Sequence, residues 1–291
     1  MNRGLVSLTP SSKELAKAKK HLNMTLHSKF SEKNITENEP VQVVNSMSYS
    51  IYAGKLEQIS LSRKALINTI NQYAYCVAEE DDAFKEALQQ TDILLPDGIG
   101  IVAGVKFLNG KKINKIAGSD LHKHLLQQLD NEKGTCFYLG SSENTLEKIK
   151  NRITKEYPNI VVGSYSPPYK TLFSADDNKQ MVNAINVFKP DVLFVGMTAP
   201  KQEKWAYMHK ELLDAKLICS IGAAFDFYAG TKRRPAKVWR SMGMEWLIRL
   251  LKEPRRMSKR YLYYGPVFIW LLIKLKFRSA FHNNENILQT D

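Results

Sequence analysis

Between residues 46 and 230, short apolar runs alternate with stretches of helical periodicity, and four of the runs end on a glycine-bearing loop. The runs 65–70, 93–95, 135–139, 159–165, 192–195 and 217–221 read as strands. Several are apolar almost throughout, as strands buried on both faces must be. The intervening stretches carry helix caps: Asp81 or Asp82 before 83–89, Ser119 or Asp120 before 121–129, Ser142 before 143–157, and Ser174 before 175–188. This alternation predicts an α/β chain with a Rossmann-like open parallel sheet and helices on both faces. Such sheets bind ligands at the carboxyl ends of their strands.

The strand-end loops are Pro96-Asp97-Gly98-Ile99-Gly100, Gly140-Ser141-Ser142, Gly196-Met197-Thr198-Ala199-Pro200-Lys201-Gln202 and Gly222-Ala223-Ala224-Phe225-Asp226. A glycine just after a strand, with a helix starting beyond it, leaves backbone N–H groups for a phosphate. Gly140 and Gly196 are candidates of this kind, although tight βα turns use glycine without any ligand. No loop has the G-x-G-x-x-G or G-x-x-x-x-G-K-[ST] pattern, which disfavours NAD binding and P-loop chemistry.

Charge divides the chain unevenly. Residues 231–280 hold 14 Lys/Arg and two acids, so they carry +12 of the total +13. This segment is a basic appendage on a nearly neutral body, suited to phosphorylated substrate, acidic lipid or nucleic acid. Within it, residues 261–273 are uncharged and rich in aromatics. About 20 apolar residues are needed to span a bilayer, and Gly265-Pro266 is expected to interrupt the run. The segment therefore predicts an amphipathic element lying in the membrane interface, with Phe268, Trp270 and Leu271 docking there. The alternative is a C-terminal helix packed on the core with a solvated basic side. Arg249 and Arg256, seven residues apart, share a face if one helix runs through them, and Pro254 instead suits the first position of a new helix.

The expected organisation is a flexible polar extension over 1–45, a Rossmann-like domain over 46–230, the appendage over 231–280 and a polar tail over 281–291. The first 45 residues contain no apolar stretch of secretory type. Cys76, Cys136 and Cys219 are 60 and 83 residues apart, which argues against a disulfide framework or structural zinc. Asp81-Asp82 falls at a helix start, and His122 and His124 project to different helix faces. No metal is expected.

The strand-end motifs also resemble a known family. Leu95-Pro96-Asp97-Gly98-Ile99-Gly100, Ala117-Gly118-Ser119-Asp120-Leu121 and Phe194-Val195-Gly196-Met197 leading to Pro200-Lys201-Gln202-Glu203-Lys204-Trp205 are similar to blocks of the WecG/TagA/CpsF glycosyltransferases. So are Gly222 to Gly230, Glu245-Trp246-Leu247 and Glu253-Pro254-Arg255-Arg256. The resemblance covers residues 50–275, with the blocks in the family's order.

It implies inverting transfer of a sugar, of N-acetylmannosamine or glucose type, from a UDP-sugar to a polyprenyl-diphosphate-linked saccharide. The reaction would serve bacterial cell-surface polysaccharide synthesis without a metal, at the cytoplasmic face of the plasma membrane. The implied partners are the UDP-sugar, the lipid-linked acceptor and the membrane surface, with no nucleic acid. The oligomeric state stays open, a homo-oligomer included.

With the resemblance, Asp97 is the candidate general base, which an inverting transfer needs to take the acceptor proton. Thr69 and Asn71 form the family's T-x-N at the preceding strand end, with Thr69 expected on the same rim. Lys115 stands where the family usually has Arg; it keeps the charge but not the bidentate fork. Gln202 suits a diphosphate or ribose, and Asp226 a uracil N3–H or ribose hydroxyl. Arg249 and Arg256 are expected to close over the donor diphosphate. Two other classes stay open: a noncatalytic membrane tether, and a nucleic-acid-binding protein with a basic tail. The latter lacks any RRM, KH, helix-turn-helix or zinc-finger pattern.

Overall fold

In a computed structural model, residues 41–236, 238–239 and 242–288 are described, with side-chain surroundings as far as residue 278. Residues 1–40 of the extension expected over 1–45 lie outside them. Among the described residues, eight strands form one sheet in the order β1-β2-β4-β3-β8-β7-β5-β6. The strands are β1 Val43–Ser46, β2 Tyr49–Tyr52, β3 Ala65–Ile70, β4 Ile93–Pro96, β5 Thr135–Gly140, β6 Val161–Tyr165, β7 Val192–Gly196 and β8 Leu217–Ser220. Only the β1–β2 hairpin is antiparallel; every other pairing is parallel.

The expected strands are all present, with shifts of one or two residues at their ends. The hairpin is a correction, because Val43–Asn45 fall inside the stretch expected to be an extension. Four-residue strands with a tight turn at Met47-Ser48, both at positive φ, leave too short a pattern to read from sequence.

One face of the sheet is covered by α4 Gly118–Glu132, α5 Glu143–Glu156 and α8 Ala224–Tyr228, packed on Ile67, Leu95, Tyr138, Phe194 and Cys219. The other is covered by α1 Gln72–Ala78, α2 Asp82–Gln89, α3 Ile99–Asn109, α6 Ala175–Phe188 and α7 Lys201–His209. Each strand sends alternate residues to the two faces, which is why the runs are apolar throughout. Capping follows the sequence closely. Asp81, Ser142 and Ser174 accept from Phe84, Thr145 and Asp177 backbone N–H groups. For α4, Asp120 instead accepts from the Ala117 N–H, so the helix starts before either residue expected to cap it.

The basic segment breaks into α9 Glu245–Lys252, α10 Pro254–Ser258, a π-helical turn Lys259–Tyr263 and α11 Tyr264–Leu288. Pro254 opens α10 at its first position, as expected. Gly265-Pro266 does not interrupt the run. It sits in the first turn of α11, directly after the π-helical turn, and the chain stays helical through it. The helix continues to Leu288, through part of the expected tail.

Helix α11 is part of the fold. Tyr264, Phe268 and Leu272 are buried in one cluster with Met47, Tyr75, Cys76, Ile101 and Val105. Phe268 meets Tyr75 edge to face at 5.4 Å, and the Cys76 thiol reaches the Tyr264 carbonyl at 3.6 Å. Phe268 is thus core, 4% exposed, rather than a membrane contact. The opposite side of α11 exposes Ile269, Trp270, Ile273 and Phe277. The core-packing reading of this helix holds; of the three residues expected to dock on a membrane, Phe268 is core, Leu271 rests half-buried on the same cluster, and Trp270 is exposed. Among the described residues, no helix is long and apolar enough to cross a membrane.

Candidate active site

The ends of β3 and β4 carry Asn71 and Asp97 side by side, because the two strands pair in register from Ile67↔Ile93 to Ile70↔Pro96. The Asp97 N–H donates to the Ile70 carbonyl at 2.8 Å, which pins the residue just beyond the ladder. Gly98 follows at φ +110, a backbone conformation that side chains disfavour, and turns the chain into α3. Asn71 caps α1 by accepting the Ala74 N–H at 3.0 Å.

Asp97 faces a cavity of about 90 Å³, which Asn71, Lys115, Glu245, Arg249, Arg260 and Tyr261 help to line. Four of these come from the basic segment, which folds back over the strand ends. Arg249 lies 5.6 Å above the Phe227 ring, and Arg260 stacks on Tyr73 at 4.4 Å. Lys115 pairs with Glu245 at 3.6 Å; Arg234 reaches Asp120 at 2.9 Å and Glu245 at 4.0 Å. An alternating chain of charge thus runs Asp120–Arg234–Glu245–Lys115 beside the cavity.

Burial pushes the Asp97 carboxyl up to about 6, and nearby Glu245 adds to this; Arg249, Lys115 and Arg234 pull it back. The result is a carboxylate ionised at neutral pH yet more basic than an ordinary aspartate. That suits a proton acceptor, whose efficiency improves as its pKa approaches working pH. Burial lowers the Arg260 guanidinium, with Tyr73 opposing and Arg256 and Arg249 adding.

The sequence-derived candidates divide. Asp97, Asn71, Lys115 and Arg249 come together here. Thr69 does not join them: it stays within β3, registered with Leu95, two residues short of Asn71, and does not line the cavity. Arg256 is also elsewhere. The chain leaves helical geometry at Glu253, so Arg249 and Arg256 share no face, and Arg256 pairs with Glu253.

The other four belong to a different part of the rim. Gly140 and Gly196 face each other at the ends of β5 and β7. A Cβ on Gly140 would lie 2.6 Å from the Gly196 carbonyl oxygen, and one on Gly196 would lie 2.3 Å from the Phe225 ring. Glycine is required there by packing. Gln202 is buried; its amide donates to Glu203 Oε1 at 2.8 Å and lies against Gly222, turned into the fold. Asp226 pairs with Lys232 at 3.0 Å near the end of β8.

Sequence reasoning did not assign Arg260, Tyr261, Arg234, Tyr73 or Glu245 to the site. The place of Glu245 in the Glu245-Trp246-Leu247 block was the one signal available for it; that it lies opposite Lys115 is seen only in the structure. The two histidines are apart, as read: His122 bonds the Tyr138 hydroxyl at 2.6 Å, and His124 the Ile59 carbonyl. All three cysteines are free and buried.

Residues 41–281 match the family model described as Glycosyl transferase WecG/TagA/CpsF family. The N-acetylglucosaminyldiphosphoundecaprenol N-acetyl-beta-D-mannosaminyltransferase of Bacillus subtilis (strain 168) is 28% identical over 221 residues, covering 75% of this chain and 84% of that protein. The protein of the same name from Bacillus spizizenii is 27% identical over 219 residues, 75% and 82% of the two chains. That from Staphylococcus aureus (strain MW2) is 28% identical over 210 residues, 72% and 80%.

Proposed function

Because the chain belongs to the WecG/TagA/CpsF family of glycosyltransferases, we propose that it moves an N-acetylmannosamine-type sugar from a UDP-sugar to a polyprenyl-diphosphate-linked N-acetylglucosamine in cell-surface polymer synthesis. The relatives' names support this choice of sugar and acceptor. The observation that carries the mechanism is the Asp97 carboxylate in a cavity that Lys115, Arg249 and Arg260 also line, the other carboxylate there, Glu245, being paired with Lys115. With Glu245 held by Lys115 and Arg234, Asp97 serves one inverting displacement: it takes the proton from the acceptor hydroxyl, that oxygen bonds to the sugar C1, and the C1–O bond to UDP breaks. The electron pair leaves with the diphosphate.

Negative charge then grows on the diphosphate. Lys115, Arg249 and Arg260 are placed around Asp97 to offset it. This supports transfer without a metal, the cations standing where a divalent ion would otherwise act. The nucleotide runs along the rim toward Asp226, whose carboxylate accepts from a uracil N3–H or a ribose hydroxyl. Asn71, which keeps its side-chain N–H groups while capping α1, hydrogen-bonds sugar or phosphate. The exposed side of α11, with Trp270 and Phe277 flanked by Lys274 and Arg278, supports docking on the cytoplasmic leaflet, where the acceptor resides.

The test is UDP release from UDP-N-acetylmannosamine with a short-chain lipid-diphosphate N-acetylglucosamine, in excess EDTA. Turnover and a disaccharide product are expected. Failure with this pair, and success with UDP-glucose, would move the assignment to the second donor type. Trp270→Ser should weaken binding to anionic vesicles while leaving turnover of a water-soluble acceptor intact.

A further inference from the structure

Beside the Asp97 cavity lies a second hollow, of about 210 Å³, which shares only Lys115 with it. Its first wall is the turn after β2. The Tyr52 hydroxyl donates to the Lys55 carbonyl at 2.8 Å, and Gln58 Oε1 accepts the Lys55 N–H at 2.7 Å. A Cβ on Gly54 would lie 2.5 Å from the Tyr52 hydroxyl oxygen, so the turn closes only around glycine. The second wall is the stretch before α4. There the Ile116 N–H donates to the Pro96 carbonyl at 3.0 Å, which ties this wall to the strand that carries Asp97. Both walls are therefore held by the protein itself.

The lining is mixed in a particular way. Half-buried Leu56 gives an apolar surface with Ile116 buried in the core at its back, while Glu57 and Asn114 are exposed. A pyranose ring has matching halves: an apolar C–H face, and hydroxyl or acetamido groups around it. A carboxylate accepts from hydroxyls, and a carboxamide both donates and accepts. The volume falls below the ~300–1,000 Å³ of sites for drug-sized ligands. It suits one ring rather than a whole sugar nucleotide. The shared Lys115 puts such a ring next to the proton acceptor.

We propose that this hollow binds one pyranose ring of a saccharide substrate, over Leu56, with Glu57 and Asn114 hydrogen-bonding its substituents. The proposal rests on the transferase reading above and adds a sugar subsite to it. The ring has two sources, the donor's sugar or the acceptor's, and one experiment distinguishes them. Glu57 and Asn114 are exposed, so Glu57→Gln with Asn114→Ala should leave the fold intact.

Calorimetry on the full chain would use UDP, UDP-N-acetylmannosamine and a short-chain lipid-diphosphate N-acetylglucosamine. The double variant should bind one of the two sugar-bearing ligands about tenfold more weakly, and UDP as wild type does. Loss confined to the UDP-sugar assigns the hollow to the donor ring; loss confined to the lipid-linked ligand assigns it to the acceptor ring. Unchanged affinity for both, or an equal loss for UDP, overturns the subsite while leaving the transferase reading in place. A wild-type chain that binds none of the three overturns that reading and the subsite with it.

Discussion

The two halves of the strand-end rim solve different problems. At β3 and β4, a carboxylate meets Lys115, Arg249 and Arg260 around open space. At β5 and β7, Gly140, Gly196 and Phe225 meet around none. Both halves look alike in sequence, as a strand followed by a glycine loop. In the first, glycine turns the chain away from a charged residue. In the second, glycine lets two backbones and a ring approach closely. A strand-end glycine therefore reports a tight approach, and the side chains brought from elsewhere decide whether a ligand or the protein itself fills the space.

Removing the carboxylate should separate the halves most sharply. Asp97→Asn is expected to lower turnover by ~10²–10⁴-fold with UDP affinity nearly unchanged; activity within a few-fold of wild type would remove Asp97 as the base. Because the base works ionised and burial holds its carboxyl up at about 6, kcat/KM in the wild type should fall about tenfold per pH unit below that value and level off above it. The sign for stability is opposite. A carboxyl whose pKa is raised by folding favours the fold while protonated, and that contribution is lost as pH rises through about 6. At pH 8, Asp97→Asn should therefore melt no lower than wild type.

The arginines give the next contrast. Arg249→Ala removes a cation from the cavity and should cost about 10²–10³-fold in kcat if it offsets charge on the leaving diphosphate. Gly196→Ala tests the other half. The new Cβ has a buried ring in its way, so a loss of about 1–3 kcal/mol in chemical denaturation is expected, with donor affinity retained where the variant is folded. A large drop in donor affinity at unchanged stability would return Gly196 to the phosphate-binding role expected from its loop. Arg256→Ala should have the smallest effect, within a few-fold in kcat, because its partner is the half-exposed Glu253 three residues away.

Much of this was legible in advance, for local reasons. The strands of the parallel sheet announce themselves because burial on both faces demands unbroken apolar runs, and Asp81, Ser142 and Ser174 announce helix starts because orphan N–H groups need an acceptor. Asp97 was legible at its strand end, and the family's T-x-N brought Thr69 and Asn71 to the neighbouring one, but Thr69 was favoured where the structure puts Asn71. The hairpin at Val43–Tyr52 escaped because four-residue strands carry too little periodicity. Phe268 and Trp270 looked equivalent, both being aromatic residues in one uncharged run. Their separation into core and surface depends on which side of α11 meets α1 and α3.

The chain by itself determined the parallel sheet, the rim where chemistry can occur and the place of Asp97 at a strand end upon it, because these follow from periodicity and local hydrogen bonding. Only the tertiary structure decided that Arg249 and Arg260 face Asp97 while Arg256 does not, and that Gln202 turns inward. Those outcomes depend on a break in helical geometry at Glu253 and on the packing of α11, which brings residues more than 140 positions from Asp97 back over its strand end. Contacts at that separation are set by the whole core, and no local pattern encodes them.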